Sequence, residues 1–300
     1  MALAALPKKV SASRFLSRGG SGWVFQINDH IALKYAYTPG SIAFENDMFD
    51  LFEKHTPCPH VIQSFLRLPN ANFLALMSGG SLDARLRSYQ IRESPFGKVL
   101  KVSRTEPVTL VTQWLTELGR AVLWLESLGY VHGDLRPGNL LLDGDNHLKL
   151  GDFDCIQKVG EPFQGNGPPW ARVLGDDAEE LGSQRGSFGT TGPRTEQFAI
   201  GSNLYCMVYG FEPYEDTDEQ GPTIVDLLQD RKFPKLNDSG LDAIIDRCWM
   251  GRYQELRDLL REAESLYGVG HLSEGISTST EDFDRCRNEC QTLVEDGLLN

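Results

Sequence analysis

Short apolar runs broken by turn residues open the chain. Arg14-Phe15-Leu16 leads into Arg18-Gly19-Gly20-Ser21-Gly22. Trp23-Val24-Phe25-Gln26-Ile27 leads out, and Ile31-Ala32-Leu33-Lys34-Tyr35 follows after Asn28-Asp29. Runs this short, punctuated by glycine and Asn-Asp, predict strands joined by tight turns. Residues 41–55 switch to a helical period with Ile42, Phe49 and Phe52 facing inward. Two further strands are predicted at 61–68 and 72–77, joined through Pro69-Asn70. The first 77 residues therefore read as mostly strand with one helix.

From Gly79 the pattern turns helical. Leu110, Val111, Trp114, Leu115, Leu118, Val122 and Leu125 recur at helical spacing over 108–128, and Gly129 stands where a helix C-terminus favours glycine. Leu140-Leu141-Leu142 and His147-Leu148-Lys149-Leu150 flank Asp143-Gly144-Asp145-Asn146, which predicts a hairpin. Residues 158–195 are rich in Gly, Pro, Ser, Asp and Glu, and a loop of that length marks a functional or mobile segment. Helices are predicted again at 196–209, 224–229, 241–249 and 253–266, then a linker at 268–279 and an amphipathic helix at 281–298.

Composition narrows the class. Three hundred residues, 40% hydrophobic and 24% charged, suit a globular protein with a sizeable core. A net charge of −13 argues against nucleic acid as the main partner, which needs clustered Lys and Arg. No segment approaches the roughly 20 apolar residues of a membrane span, and the N-terminus has no apolar run long enough for a signal-peptide core. A cytoplasmic or nuclear location is expected, with the six cysteines reduced. Cys286 and Cys290 lie one helical turn apart without further ligands nearby and read as free thiols.

Candidate chemistry is concentrated in Val131-His132-Gly133-Asp134-Leu135-Arg136-Pro137-Gly138-Asn139-Leu140 and in Gly151-Asp152-Phe153-Asp154. A carboxylate, an amide and a second carboxylate follow at intervals of 5 and 13 residues, the set that phosphoryl transfer uses to orient a hydroxyl and hold Mg²⁺ against ATP phosphates. Upstream, Ser17-Arg18-Gly19-Gly20-Ser21-Gly22-Trp23-Val24 is a glycine loop that brings backbone N–H groups near phosphate, and Lys34 follows Val24 by ten residues.

These motifs resemble the protein-kinase-like superfamily over roughly residues 14–266, and in particular the divergent protein kinase domains of filamentous fungi. The resemblance implies an α+β, bilobal protein-kinase-like fold, with a small strand-rich N-lobe and a larger helical C-lobe. The kinase-like domain would span 10–270 (N-lobe 10–77, C-lobe 78–270), with 271–300 a C-terminal helical extension. It implies Asp134 as catalytic base, Lys34 on the α- and β-phosphates, Glu45 as the partner of that lysine, and Arg136 near the γ-phosphate. Glu53 and Asp47 are the other candidate partners for Lys34. Gly19, Gly20, Gly22, Val24, Ala32, Lys34, Ala75, Met77 and Leu141 would bind the nucleotide, with Leu74 facing adenine. Asn139 and Asp152 would hold the metal. His132 and Phe153 would be structural supports, and Glu196 would brace the catalytic loop in place of the usual Asp. ATP, Mg²⁺ and a protein substrate are the implied ligands, and Ser/Thr protein kinase the implied activity.

The departures keep other classes open. Gly133 replaces an arginine that often reads a phosphorylated loop, Asp154 replaces a glycine, and Ser17 stands at the usual first glycine of the loop. No Ala-Pro-Glu signature precedes Glu196. Gly133 and Asp154 also resemble the aminoglycoside and choline kinase branch, so a small-molecule kinase is one alternative. A pseudokinase scaffold is another. The run Glu196-Gln197-Phe198-Ala199-Ile200-Gly201 and the later Gly210-Phe211-Glu212-Pro213 favour the protein-kinase side. Ser187, Thr190 and Thr191 in the long polar segment are candidate phosphosites.

Overall fold

The computed structural model describes residues 5–219, 221–267 and 279–300. They form two compact units. Unit 1 takes the described residues of 1–79, 142–154 and 275–300; unit 2 takes those of 80–141 and 155–274. In chain order the helices are α1 (Lys8–Ser11), α2 (Ala43–Phe52), α3 (Leu82–Arg87), α4 (Val108–Ser127), α5 (Pro193–Tyr209), α6 (Gly221–Gln229), α7 (Gly240–Trp249), α8 (Leu256–Tyr267) and α9 (Thr280–Glu295).

Unit 1 is built on an antiparallel sheet of β1 (Arg14–Arg18), β2 (Gly22–Gln26), β3 (Ile31–Ala36), β4 (Ser64–Leu68) and β5 (Ala71–Ala75), in the order β1-β2-β3-β5-β4. Register explains how one strand serves both a core and a site. Leu33 pairs with Phe25 and Phe73, while its neighbour Lys34 pairs with Val24 and Asn72. Successive strand residues point to opposite faces, so the first row enters the core and the second faces away from it.

The core row is covered by the C-terminal helix. Phe25, Ile31, Leu33, Phe65 and Phe73 cluster with Val10 of α1, with Cys286 and Cys290 of α9, and with Leu298. Ser279 caps α9 by accepting a hydrogen bond from the Asp282 N–H at 3.1 Å. Arg287 donates to the Phe65 carbonyl at 2.8 Å and Asn28 to the Glu289 carboxylate at 2.7 Å, fixing the helix against β4 and the β2–β3 turn. All six cysteines are free thiols. The rest of the linker expected at 268–279 lies outside the described residues.

Unit 2 centres on α4, whose predicted stripe of Val111, Trp114, Leu115, Leu118, Val122 and Leu125 is buried. α4 packs on α5 and α8, and α5 packs on α7. Every α5 residue from Glu196 to Met207 is buried, so this helix shows no one-sided stripe. Two features differ from the sequence expectation. The stretch after Gly79 holds, besides helix, a hairpin of Gln90–Arg92 with Val99–Val102. Each strand is too short for a period of two to register, and part of its anchoring is distant: the Val99 N–H bonds the Glu215 carbonyl at 2.8 Å. The long polar segment also carries structure, a strand at Gln157–Lys158 paired with Tyr130–Val131 and a 3₁₀ turn at Asp176–Leu181.

Among the described residues no helix is long and apolar enough to cross a membrane.

Candidate active site

In unit 1 the side-chain row opposite the core carries the charge. Lys34, almost fully buried, places its Nζ 2.7 Å from Glu45 of α2 and 2.6 Å from Asp152. Of the three candidate partners it is Glu45 that meets the lysine. Glu53 instead bonds Arg67 and Arg287. Burial alone would lower the lysine's pKa, but the two carboxylates outweigh it and hold the amine above its ordinary value. Burial pushes the Glu45 carboxyl up while Lys34 pulls it down, and the balance stays on the raised side.

Asp152 sits in left-handed backbone conformation, φ +63°, which turns its carboxylate toward Lys34. A non-glycine residue held there stores strain of about 1–3 kcal/mol. The next residue anchors it. Phe153 is fully buried and meets Phe49 and Phe52 of α2 edge-on, with centroids 5.4 and 5.1 Å apart. Its N–H donates to Glu45 at 3.4 Å.

The glycine loop closes between β1 and β2, with the Gly19 N–H on the Gly22 carbonyl at 2.9 Å. Space demands glycine at position 22 and crowds position 20. A Cβ on Gly22 would stand 2.6 Å from the Tyr35 carbonyl oxygen, and one on Gly20 would stand 3.1 Å from the Asp154 carboxylate. Gly19 lies beside the Lys34 side chain and Asp152. Two residues that no motif points to hold the loop down. The Tyr37 hydroxyl donates to the Gly19 carbonyl and the Ser41 hydroxyl to the Ser21 carbonyl, each at 2.7 Å. Trp23 packs edge-on against Tyr37 at 4.5 Å.

At the end of β5 the Ala75 N–H is taken by the Gln63 carbonyl and the Leu76 N–H by the His30 carbonyl. Met77's backbone N–H and carbonyl have no hydrogen-bond partner among the described residues. Val24 and Ala32 lie on β2 and β3, Ala32 paired with Gln26. Leu141 lies mid-strand in Leu140–Leu142, half-buried.

Unit 2 supplies the second group of residues. Asp134 is buried, and its Oδ2 accepts from Arg136 Nε at 3.0 Å and from Asn139 Nδ2 at 2.9 Å. Its Oδ1 is buried with no hydrogen-bond partner. Asn139 also donates to the Asp134 carbonyl at 2.9 Å, so both bonds use its amide nitrogen and leave its Oδ1 to an outside ligand. The loop is braced from α5. Buried Glu196 accepts from the N–H groups of His132 at 3.1 Å and Gly133 at 3.4 Å, and Asn203 donates to the Leu135 carbonyl at 3.0 Å. Burial pushes the Glu196 carboxyl up to about 7, against the pull of those two N–H donors. Asn203 was not foreseen; the only hint is a polar residue in a helix otherwise rich in apolar ones.

Gly133 has a structural reason of its own. Its φ is +79°, and a Cβ would meet the Cys155 carbonyl oxygen at 2.5 Å and Gln157 at 2.9 Å.

Each unit by itself holds groups of the kind a nucleotide or a divalent cation takes. Asn139 Oδ1 and the Asp152 carboxylate are hard oxygen donors of the kind Mg²⁺ takes, and an unpaired backbone N–H and carbonyl at Met77 suit a purine edge.

Comparison with known proteins bears on the class and the fold. Residues 57–165 match the family model described as protein tyrosine and serine/threonine kinase. These matches support a protein-kinase-like superfamily for the chain, and its strand-rich unit 1 and helical unit 2 agree with the α+β, bilobal fold of that group. It is 24% identical over 302 residues to dual specificity protein kinase Ttk of Danio rerio, covering 93% of this chain and 29% of that protein. It is 28% identical over 221 residues to myotonin-protein kinase of Homo sapiens, covering 64% of this chain and 33% of that one. Over 144 residues it is 28% identical to 3-phosphoinositide-dependent protein kinase 1 of Arabidopsis thaliana, covering 45% of this chain and 28% of the relative. The chain thus spans about a third of the length of these curated relatives.

Proposed function

We propose that the protein is an ATP- and Mg²⁺-dependent protein kinase that transfers the γ-phosphoryl group to Ser or Thr hydroxyls of a protein substrate. The observation that carries this reading is the divided state of the Asp134 carboxylate. Oδ2 is held by Arg136 and Asn139, while Oδ1 is buried and unmatched. A buried acceptor with no donor costs about 1–3 kcal/mol. An acceptor hydroxyl would satisfy it and be oriented by it, its proton passing to Asp134 as the oxygen attacks phosphorus.

The other residues take roles that suit their surroundings. Lys34, kept charged and positioned by Glu45, binds the α- and β-phosphates. Gly19, Gly20 and Gly22 let backbone N–H groups approach phosphate oxygens. Val24, Ala32 and Leu141 offer apolar contact to adenine, and the Ala75 carbonyl and Met77 backbone its hydrogen bonds. Arg136 neutralises charge on the γ-phosphate. Mg²⁺, held by Asn139 and Asp152, would supply charge neutralisation on the phosphates. In this reading the kinase-like domain spans 10–270, and 271–300 extends it. The protein acts in the cytoplasm or nucleus, where its free cysteines stay reduced.

The test is transfer of labelled γ-phosphate by purified protein with Mg²⁺, offered a basic protein mixture and a panel of small alcohols and amines. Label on protein is expected. Asp134→Asn and Asp152→Asn should each lower it about 10²-fold or more, with Asp134→Asn still binding ATP. Label confined to a small molecule would move the chain to the small-molecule branch. ATP binding with no transfer to any acceptor would make it a scaffold.

A further inference from the structure

A cavity of about 190 Å³ opens within unit 2, lined by none of the residues given roles above. Its walls are aromatic and aliphatic, Phe163 and Trp249 among them, but its charged lining consists of Arg172 and Arg194, with no acidic residue. That is an unusual lining for a chain of net charge −13.

Arg172 is 7% exposed. Its two terminal nitrogens grip Asp177 at 2.8 and 2.7 Å, yet its Nε is buried without any partner. A guanidinium N–H shut away from water calls for an acceptor. Arg194 reaches the same Asp177 at 3.4 Å, and Arg231 bonds it as well. Three guanidiniums share one carboxylate, which leaves two positive charges in excess. Burial pulls the Arg194 pKa below its ordinary value, and the opposing Asp177 does not restore it because Arg172 and Arg231 also push it down. Arg194 and Thr195 belong to the first turn of the 17-residue α5, whose N-terminal end adds partial positive charge.

We propose that this cavity binds a phosphoryl group carried on a Thr or Ser side chain. A dianion matches the two surplus guanidinium charges, and planar Arg forks favour phosphate oxygens. Two sources share that chemistry. One is Thr190 of this chain, an exposed residue of the cavity wall. The other is a phosphorylated residue of another protein. Either would be read by arginines at a place remote in sequence from position 133, where glycine stands.

The full chain, shown by mass spectrometry to carry no phosphate, would be titrated calorimetrically with a phosphothreonine peptide and with inorganic phosphate. Saturable binding is expected, weakened about tenfold or more in Arg194→Gln, whose thermal melt checks that it is folded. Binding should persist in Asp134→Asn, because the site does not depend on catalysis. Thr190→Ala distinguishes the sources. If phosphate comes from outside, this variant binds the peptide like wild type. If it comes from Thr190, protein incubated with ATP gains phosphate there and then refuses the peptide, while Thr190→Ala treated the same way still accepts it. No saturable binding of either probe by unphosphorylated wild type, or equal binding by folded Arg194→Gln, would overturn the proposal.

Discussion

At the scale of single residues, the loop around Asp134 shows chemistry and space making separate demands on adjacent positions. Asp134 is shaped by what it must touch, Gly133 by what it must avoid. Gly133→Ala puts a Cβ 2.5 Å from the Cys155 carbonyl at φ +79°. It should cost on the order of 1–3 kcal/mol in urea unfolding, and Gly133→Arg at least as much. A stable Gly133→Ala would show that the residue is free to vary. In the sequence Gly133 reads as an arginine lost, because a motif records only what usually stands at a position. The close carbonyl comes from Cys155, which no spacing rule places there. Lys34, Asp134, Asn139 and Asp152 stand out in the sequence for the opposite reason: their intervals are those of the motif set that the proposed reaction would use. Tyr37 and Ser41, which bond the glycine loop through backbone carbonyls, left no mark, since many side chains could make such bonds.

At the scale of elements, α5 is the least amphipathic of the long helices and the one most tied to the candidate site. Its buried Glu196 gives the fold a signature in pH. The folded carboxyl titrates near 7 against an ordinary value of 4.5. Between those values the folded state keeps a proton that the unfolded chain has released. This carboxyl's own contribution to stability is therefore greatest below about 4.5, falls as pH rises toward 7, and levels off above it. Full linkage amounts to something on the order of 3 kcal/mol. Chemical denaturation at pH 5 and pH 7.5 should show wild type losing stability across this window and Glu196→Gln losing less; parallel losses would remove Glu196 as the cause. The helix was predicted from 196, three residues after its start at Pro193. Its all-round burial explains why periodicity alone could not say which side faced what. The hairpin at Gln90–Arg92 and Val99–Val102 went unread because its strands carry too few residues for any period.

At the scale of the whole molecule, unit 1 is discontinuous in sequence, and its core depends on α9. Phe65 and Phe73 are buried in the cluster that Cys286, Cys290 and Leu298 complete. Leu298→Ala should cost about 2–4 kcal/mol, and removing residues 279–300 should lower the calorimetric melting temperature by more than that substitution does. An unchanged melt after truncation would mean that the sheet is self-sufficient. This contact also sets an order of assembly. Residues 155–274 belong to unit 2 and leave the ribosome before residue 286 does. Val10 and Phe25 precede every residue of unit 2, yet their cluster cannot close until some 260 further residues have followed. During synthesis a chaperone would meet a half-built sheet beside a larger unit whose residues are already all present, so the part made first is the part finished last.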